Sequence, residues 1–167
     1  MKFHLKLPRR LFRDIHVDLH RRHRFAAERV GFLRAAFADG GDQALILPSE
    51  YRSVADEDYV DNPAAGASIG REAIRKALEW ADTWHGGLFH VHAHSGRGVP
   101  GFSGIDIAGN QRLIPTFFNV APGRPHGAII LSDDAATAAI WPGKQAVPRL
   151  VSKVTIVGAP LASWWPR

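Results

Sequence analysis

The chain contains no cysteine. That absence excludes disulfides, thiol nucleophiles and every cysteine-ligated zinc site, so any metal must be held by His, Asp or Glu. Nor is there an apolar run near the ~20 residues that a membrane-spanning helix needs. The basic start, Met1 to Arg10, leads into no apolar stretch of the signal-peptide kind. These absences predict a soluble, cytoplasmic protein with no membrane partner. Acid is also scarce at the start. Residues 1–34 hold ten Lys/Arg against three Asp/Glu, whereas the remainder holds eleven against thirteen. Such a basic segment could face nucleic acid, a membrane surface or an acidic protein. No nucleic-acid motif accompanies it, so nucleic acid is not expected and a solvated helix face is the plainer reading.

What is present suits one globular domain. The 167 residues, 46% of them hydrophobic, are enough to bury a core, and residues 1–167 show no internal repeat, linker or low-complexity segment. Leu11, Ile15 and Leu19 recur at every fourth position with Phe12 alongside, which predicts a basic helix over about 8–23 with Pro8 at its start. His16, His20 and His23 read as its polar flank. Residues 29–38 read as a strand, 39–42 as a Gly-Gly turn and 43–47 as the return strand, with 51–55 resuming the sheet after Pro48. A helix through Phe25–Phe37 is the competing reading, favoured by the alanines. Residues 56–68 read as a surface loop. A second helix is expected from Arg71 to Trp84, with Ile74, Leu78 and Ala81 on its buried side. A strand over 87–94, a loop over 95–101 and a third helix from Ser103 to about Leu113 follow. Further strands are expected near 116–120, 127–131, 137–141 and 151–157, with Phe117 and Phe118 in the sheet core and Trp164-Trp165 docked onto the domain. The fold class is α/β: a mixed, curved sheet flanked by helices.

The chemistry concentrates in one stretch. On a strand, side chains two apart share a face, so Leu88, His90, His92 and His94 point one way and Phe89, Val91 and Ala93 the other. Two imidazoles so placed can grip one ion, and a carboxylate from the next turn makes three protein ligands, the open arrangement of a catalytic zinc. His92, His94 and Asp106 fit that set, and Ser103 is placed to donate to a developing oxyanion. Ser103 and Asp106 also have the spacing of a helix capping box, and both readings can hold because a helix start aims the two side chains. A hydrolase needs a proton shuttle as well. Glu28, at the entrance to the first hairpin strand, is the candidate.

These residues resemble the JAMM metalloproteases, the catalytically active MPN or JAB-domain proteins. Glu28 stands in Glu-Arg-Val-Gly-Phe-Leu, similar to that family's Glu-x-x-Gly-x-Leu. His92-Ala93-His94 and Ser103-Gly104-Ile105-Asp106 match its His-x-His and Ser-x-x-Asp. The likeness spans roughly residues 8–141 and is nearest to compact bacterial JAB proteins of ubiquitin-like conjugation or sulfur-carrier systems. It implies a single JAB/MPN-like domain with one Zn2+ on His92, His94 and Asp106, Glu28 as general acid/base and Ser103 steadying the oxyanion. The implied activity is a zinc isopeptidase or peptidase that uses metal-activated water to cut after the C-terminal tail of a ubiquitin-like protein; a non-catalytic MPN-type interaction module and a small-molecule metal-dependent amidohydrolase are the alternatives. The implied partners are that modifier and its conjugates, with E1-like and E2-like proteins of the same system as further candidates. Two departures fall in the loop. Eight residues, Ser95 to Phe102, separate His94 from Ser103 where the family usually has seven, and Ser95 stands where it often has proline. A pairing of His90 with His92 remains open and would lengthen the spacer to ten; otherwise His90 supports the ligands or lines the substrate cleft. Gly96, Gly98 and Gly101 could leave a slot for a glycine-rich tail, and Arg97 could pair with an acidic group on the substrate.

Overall fold

The computed structural model describes residues 1–22, 26–62 and 66–166. Nine strands form one mixed sheet in the order β7-β6-β5-β4-β2-β3-β1-β8-β9. They are β1 (Lys2–Pro8), β2 (Val30–Asp39), β3 (Gln43–Ser53), β4 (Gly87–Ala93), β5 (His126–Leu131), β6 (Ala136–Trp141), β7 (Arg149–Leu150), β8 (Lys153–Val157) and β9 (Ala162–Trp164). Three helices flank them: α1 (Arg9–Leu19), α2 (Arg71–Asp82) and α3 (Gly104–Phe117). The mixed α/β class follows as expected.

Alternation fixes which face each residue serves. Phe89, Val91 and Ala93 of β4 join Leu5, Leu7, Leu33 and Ile129 in a core sealed by Ile15 and Leu19 of α1. Leu88 turns to the other face, where Phe32 and Ala128 meet Ala73, Ala77 and Ala81 of α2 and Ile114 and Phe117 of α3. Hence α1 covers one side of the sheet, and α2 with α3 the other. Every residue of β4 is buried, so the histidines it carries toward α3 sit inside the protein rather than at a wet sheet edge.

Several expectations need correction. The first residues form β1, which runs parallel to both β3 and β8. Phe3, Leu5 and Leu7 supply its buried face. The helix that follows ends at Leu19, and His23 and Phe25, with the competing helix that began there, lie outside the described residues. Residues 30–39 are strand, which removes the helical alternative from there on. β3 does not break at Pro48. Arg34 pairs with Glu50 and Ala35 with Pro48, so Ser49 bulges and the strand absorbs a residue that lacks an N–H. Small alanines fill the buried side of α2, with Ile74 and Leu78 only partly covered. The strand expected over 116–120 is absent: α3 continues through Pro115 to Phe117. Phe117 and Phe118 are nonetheless buried, edge-on to His126 at centroid distances of 5.7 and 4.4 Å. Trp164 packs against the core through β9, whereas Trp165 is exposed, with the Lys153 ammonium 4.7 Å from its ring. No helix among the described residues is long and apolar enough to cross a membrane.

Candidate metal centre

The site is assembled where β4 ends and α3 begins. His92 is the penultimate residue of β4, and His94 lies just beyond it, pinned by its N–H to the Leu131 carbonyl of β5 at 2.8 Å. Their Nε2 atoms stand 3.1 Å apart. The chain leaves through residues 95–102 and returns at Ser103, the N-cap of α3. There the Ser103 hydroxyl accepts from the Asp106 N–H at 3.1 Å, and Asp106 Oδ2 accepts from the Ser103 N–H at 2.6 Å. This reciprocal cap satisfies two helix-terminal donors and fixes the Asp106 rotamer. The fixed carboxylate meets both imidazoles, Oδ1 at 3.0 Å from His92 Nε2 and Oδ2 at 3.3 Å from His94 Nε2.

Glu28 joins them from the chain ahead of β2. Its carboxylate and the two imidazoles each offer a ligand atom, all within 4.8 Å of one another, so Glu28, His92 and His94 form a triad with metal-ligand spacing. The Glu28 N–H donates to the Gly66 carbonyl at 2.8 Å. A Cβ at residue 66 would lie 2.6 Å from that carboxylate, so the missing side chain of Gly66 is what gives Glu28 its seat.

These separations can be set against a zinc ion. In a tetrahedron with metal–ligand bonds of about 2.0 Å, donor atoms sit roughly 3.3 Å apart. The two imidazole Nε2 atoms stand 3.1 Å apart, and they lie 3.0 and 3.3 Å from different oxygens of the Asp106 carboxylate, so the three side chains converge near the edge length such an ion imposes. Imidazole with carboxylate is also a donor set that suits zinc, although it admits other divalent metals. Burial opposes charge on Asp106, but hydrogen bonds from His92 and Ser103 outweigh it and hold the carboxyl well below the usual range. Asp106 is therefore an anion at neutral pH, as a ligand must be.

His90 has a partner of its own on α3. Its Nε2 lies 2.5 Å from Asn110 Oδ1, an acceptor, so Nε2 carries the proton. That nitrogen thus faces α3, and the imidazoles that group with Glu28 at ligand spacing are those of His92 and His94. The ring stacks on His92, with centroids 5.5 Å apart and planes 9° from parallel, and backs it. Burial, followed by the neighbouring His92, pushes His90 down to about 4, so it stays neutral.

Arg97 departs from expectation. It is 82% exposed and pairs with Asp134 of its own chain at 3.0 Å, away from the cluster. Gly96 and Gly98 adopt left-handed backbone, with φ of 105° and 89°, a conformation that the turns of this loop require and that favours glycine. Asn110 and Gly66 complete the site and went unnoticed in the sequence. Asn110 had a signal, since it follows Asp106 by four residues and so shares its helix face. Gly66 had none. A cavity of about 380 Å³ opens beside the cluster, with Glu28, His92 and Asp106 at one end and Val30, Ile69, Ile74 and Leu113 along its sides.

No protein-family model and no curated protein matches the chain.

Proposed function

We propose that the chain is a zinc-dependent peptidase or isopeptidase of JAMM type, built on a JAB/MPN-like domain, that cleaves after the C-terminal tail of a ubiquitin-like protein. The observation that carries this reading is the convergence of His92, His94 and Asp106 at 3.0–3.3 Å with the Glu28 carboxylate beside them. His92, His94 and Asp106 hold the ion. Bound there, zinc lowers the pKa of a water molecule and polarises a carbonyl oxygen. Glu28 takes the proton from the attacking water and returns it to the departing amine. The Ser103 hydroxyl uses its oxygen to cap α3 and keeps its hydrogen to donate to the developing oxyanion. Asn110 fixes His90, and His90 buttresses His92.

A second reading is a small-molecule amidohydrolase of the same mechanism. Its support is the size of the cavity beside the cluster, about 380 Å³, which lies in the range of small-ligand sites. Elemental analysis of the wild type and Asp106→Ala, paired with cleavage of a ubiquitin-like fusion and of short amides, tests both readings. One zinc per chain, lost together with fusion cleavage in the variant, is the expected result. Zinc with turnover of short amides alone selects the second reading. Absence of zinc after reconstitution overturns both.

A further inference from the structure

The far side of α3 carries a second hollow, of about 700 Å³, that the reaction above does not use. Its floor is Thr137, Ala139 and Trp141 of β6, and Phe102 and Leu150 wall it on either side. It begins one residue from the metal cluster, because Ile107 lines it while the adjacent Asp106 faces the imidazoles. Asn110 lines both this hollow and the smaller cavity, so a substrate lying across Asp106 reaches the two together.

Two properties mark it as built for a ligand. First, the loop that supplies one wall is anchored at Gly96 and Gly98. The Asp133 N–H donates to the Gly96 carbonyl at 2.9 Å, the Gly98 N–H to Asp134 Oδ1 at 2.7 Å and the Ser132 hydroxyl to the Gly98 carbonyl at 2.7 Å. A wall so tied loses little freedom when something binds against it. Second, the rim is cationic. Asp134 neutralises Arg97, but Arg149 is exposed and makes no ion pair among the described residues, and no acidic side chain lines the hollow. An apolar chamber of this volume falls in the roughly 300–1,000 Å³ range that encloses a small molecule or a short peptide.

We infer that this hollow is a second substrate subsite, taking an apolar peptide segment that carries a carboxylate, with Arg149 as the specificity-determining contact. The inference rests on the hydrolase reading, and its test is kept separate from turnover. The probes are two hexapeptides labelled with fluorescein at the N-terminus and amidated at the C-terminus, Gly-Gly-Gly-Leu-Phe-Asp and Gly-Gly-Gly-Leu-Phe-Lys, so that only the first carries a carboxylate beside the apolar pair. Binding is followed by anisotropy on the full chain carrying Glu28→Gln, so that neither probe is consumed. The aspartate peptide should bind roughly tenfold more tightly than the lysine peptide, the scale of one charge pair at a partly covered site. Adding Arg149→Glu should reverse the order, whereas Arg149→Lys should keep it. Leu150→Asp, at a half-exposed edge position, should weaken the aspartate peptide independently. Equal binding of both peptides, or an order that Arg149→Glu leaves unchanged, overturns the subsite, and intact zinc and fusion cleavage would leave the hydrolase standing. Absence of fusion cleavage in the wild type, with the peptide order retained, counts against the hydrolase and supports the subsite. Dimerisation abolished by the same substitutions, without peptide preference, assigns the hollow to a second copy and overturns the proposal.

Discussion

Asp106 Oδ2 accepts the Ser103 N–H at 2.6 Å while Oδ1 of the same carboxylate stands 3.0 Å from His92 Nε2. One side chain thus caps the start of α3 and faces the imidazole pair. This coupling separates two roles of Ser103. Ser103→Ala removes the cap oxygen and should cost about 1 kcal/mol of stability. Ser103→Asn restores a cap, so its urea midpoint should match the wild type. If the hydroxyl also serves the oxyanion, the Asn variant should still lose roughly 10²-fold in kcat. Full activity in Ser103→Asn would leave Ser103 a capping residue alone.

Gly66 should behave as a positioning residue. In Gly66→Ala the new Cβ would lie 2.6 Å from the Glu28 carboxylate and must displace it. Activity should fall at least tenfold, in kcat more than in KM, with metal content unchanged. An unaltered kcat would show that Glu28 works from another rotamer.

The cluster can be dissected by metal content. Glu28→Gln spares the three proposed ligands, so it should keep its zinc and lose about 10²–10⁴-fold in rate. Because Glu28 stands within ligand reach of both imidazoles, zinc lost from this variant would move Glu28 into the coordination set. His94→Ala should lose metal outright. His90→Ala should retain it more weakly, because in the proposed site His90, bonded to Asn110, supports His92 and does not bind the ion.

Acid should weaken the fold through His126. This ring is fully buried, its Nδ1 accepts from the Leu88 N–H at 2.9 Å and its Nε2 donates to the Ala121 carbonyl at 3.0 Å. Burial lowers its pKa, and protonating Nδ1 would break the bond from Leu88. The folded state therefore binds the proton less readily than the unfolded chain, whose histidines titrate near about 6.5. Its stabilisation is complete above that pH and declines as pH falls below it, by up to ~1.4 kcal/mol per unit. Burial lowers His4 as well, so it acts in the same direction. Urea midpoints at pH 7.5 and 5.5 should differ accordingly, and a smaller difference is expected in His126→Gln. Equal wild-type midpoints would contradict this account.

The site was largely legible in the sequence because its parts are local. Alternation placed His92 and His94 on one face of β4, and a three-residue spacing made Ser103 and Asp106 a cap. What escaped depends on contacts between distant segments. β1 carries a plain period of two in Phe3, Leu5 and Leu7, yet its partners lie in β3 and β8, so its charges were more conspicuous than its pattern. Pro115 argues locally for ending a helix, but the burial of Ile114, Phe117 and Phe118 against the sheet carries α3 past it. Gly66 is silent in sequence because its role is a space, set by a glutamate 38 positions away.

The hydrogen bonds that tie Gly96 and Gly98 to the 132–134 turn divide the loop between His94 and Ser103 into unequal parts. Upstream of Gly98 the backbone is committed, and downstream it is committed again at the Ser103 cap. Between these two anchors, residues 99–102 border the larger hollow and hold neither end of the cluster. Chain length can therefore change there without moving His94 or Asp106. If the chain is the JAMM-type hydrolase proposed above, this window is where its one-residue-longer spacer is taken up, with both ends of the cluster left in place.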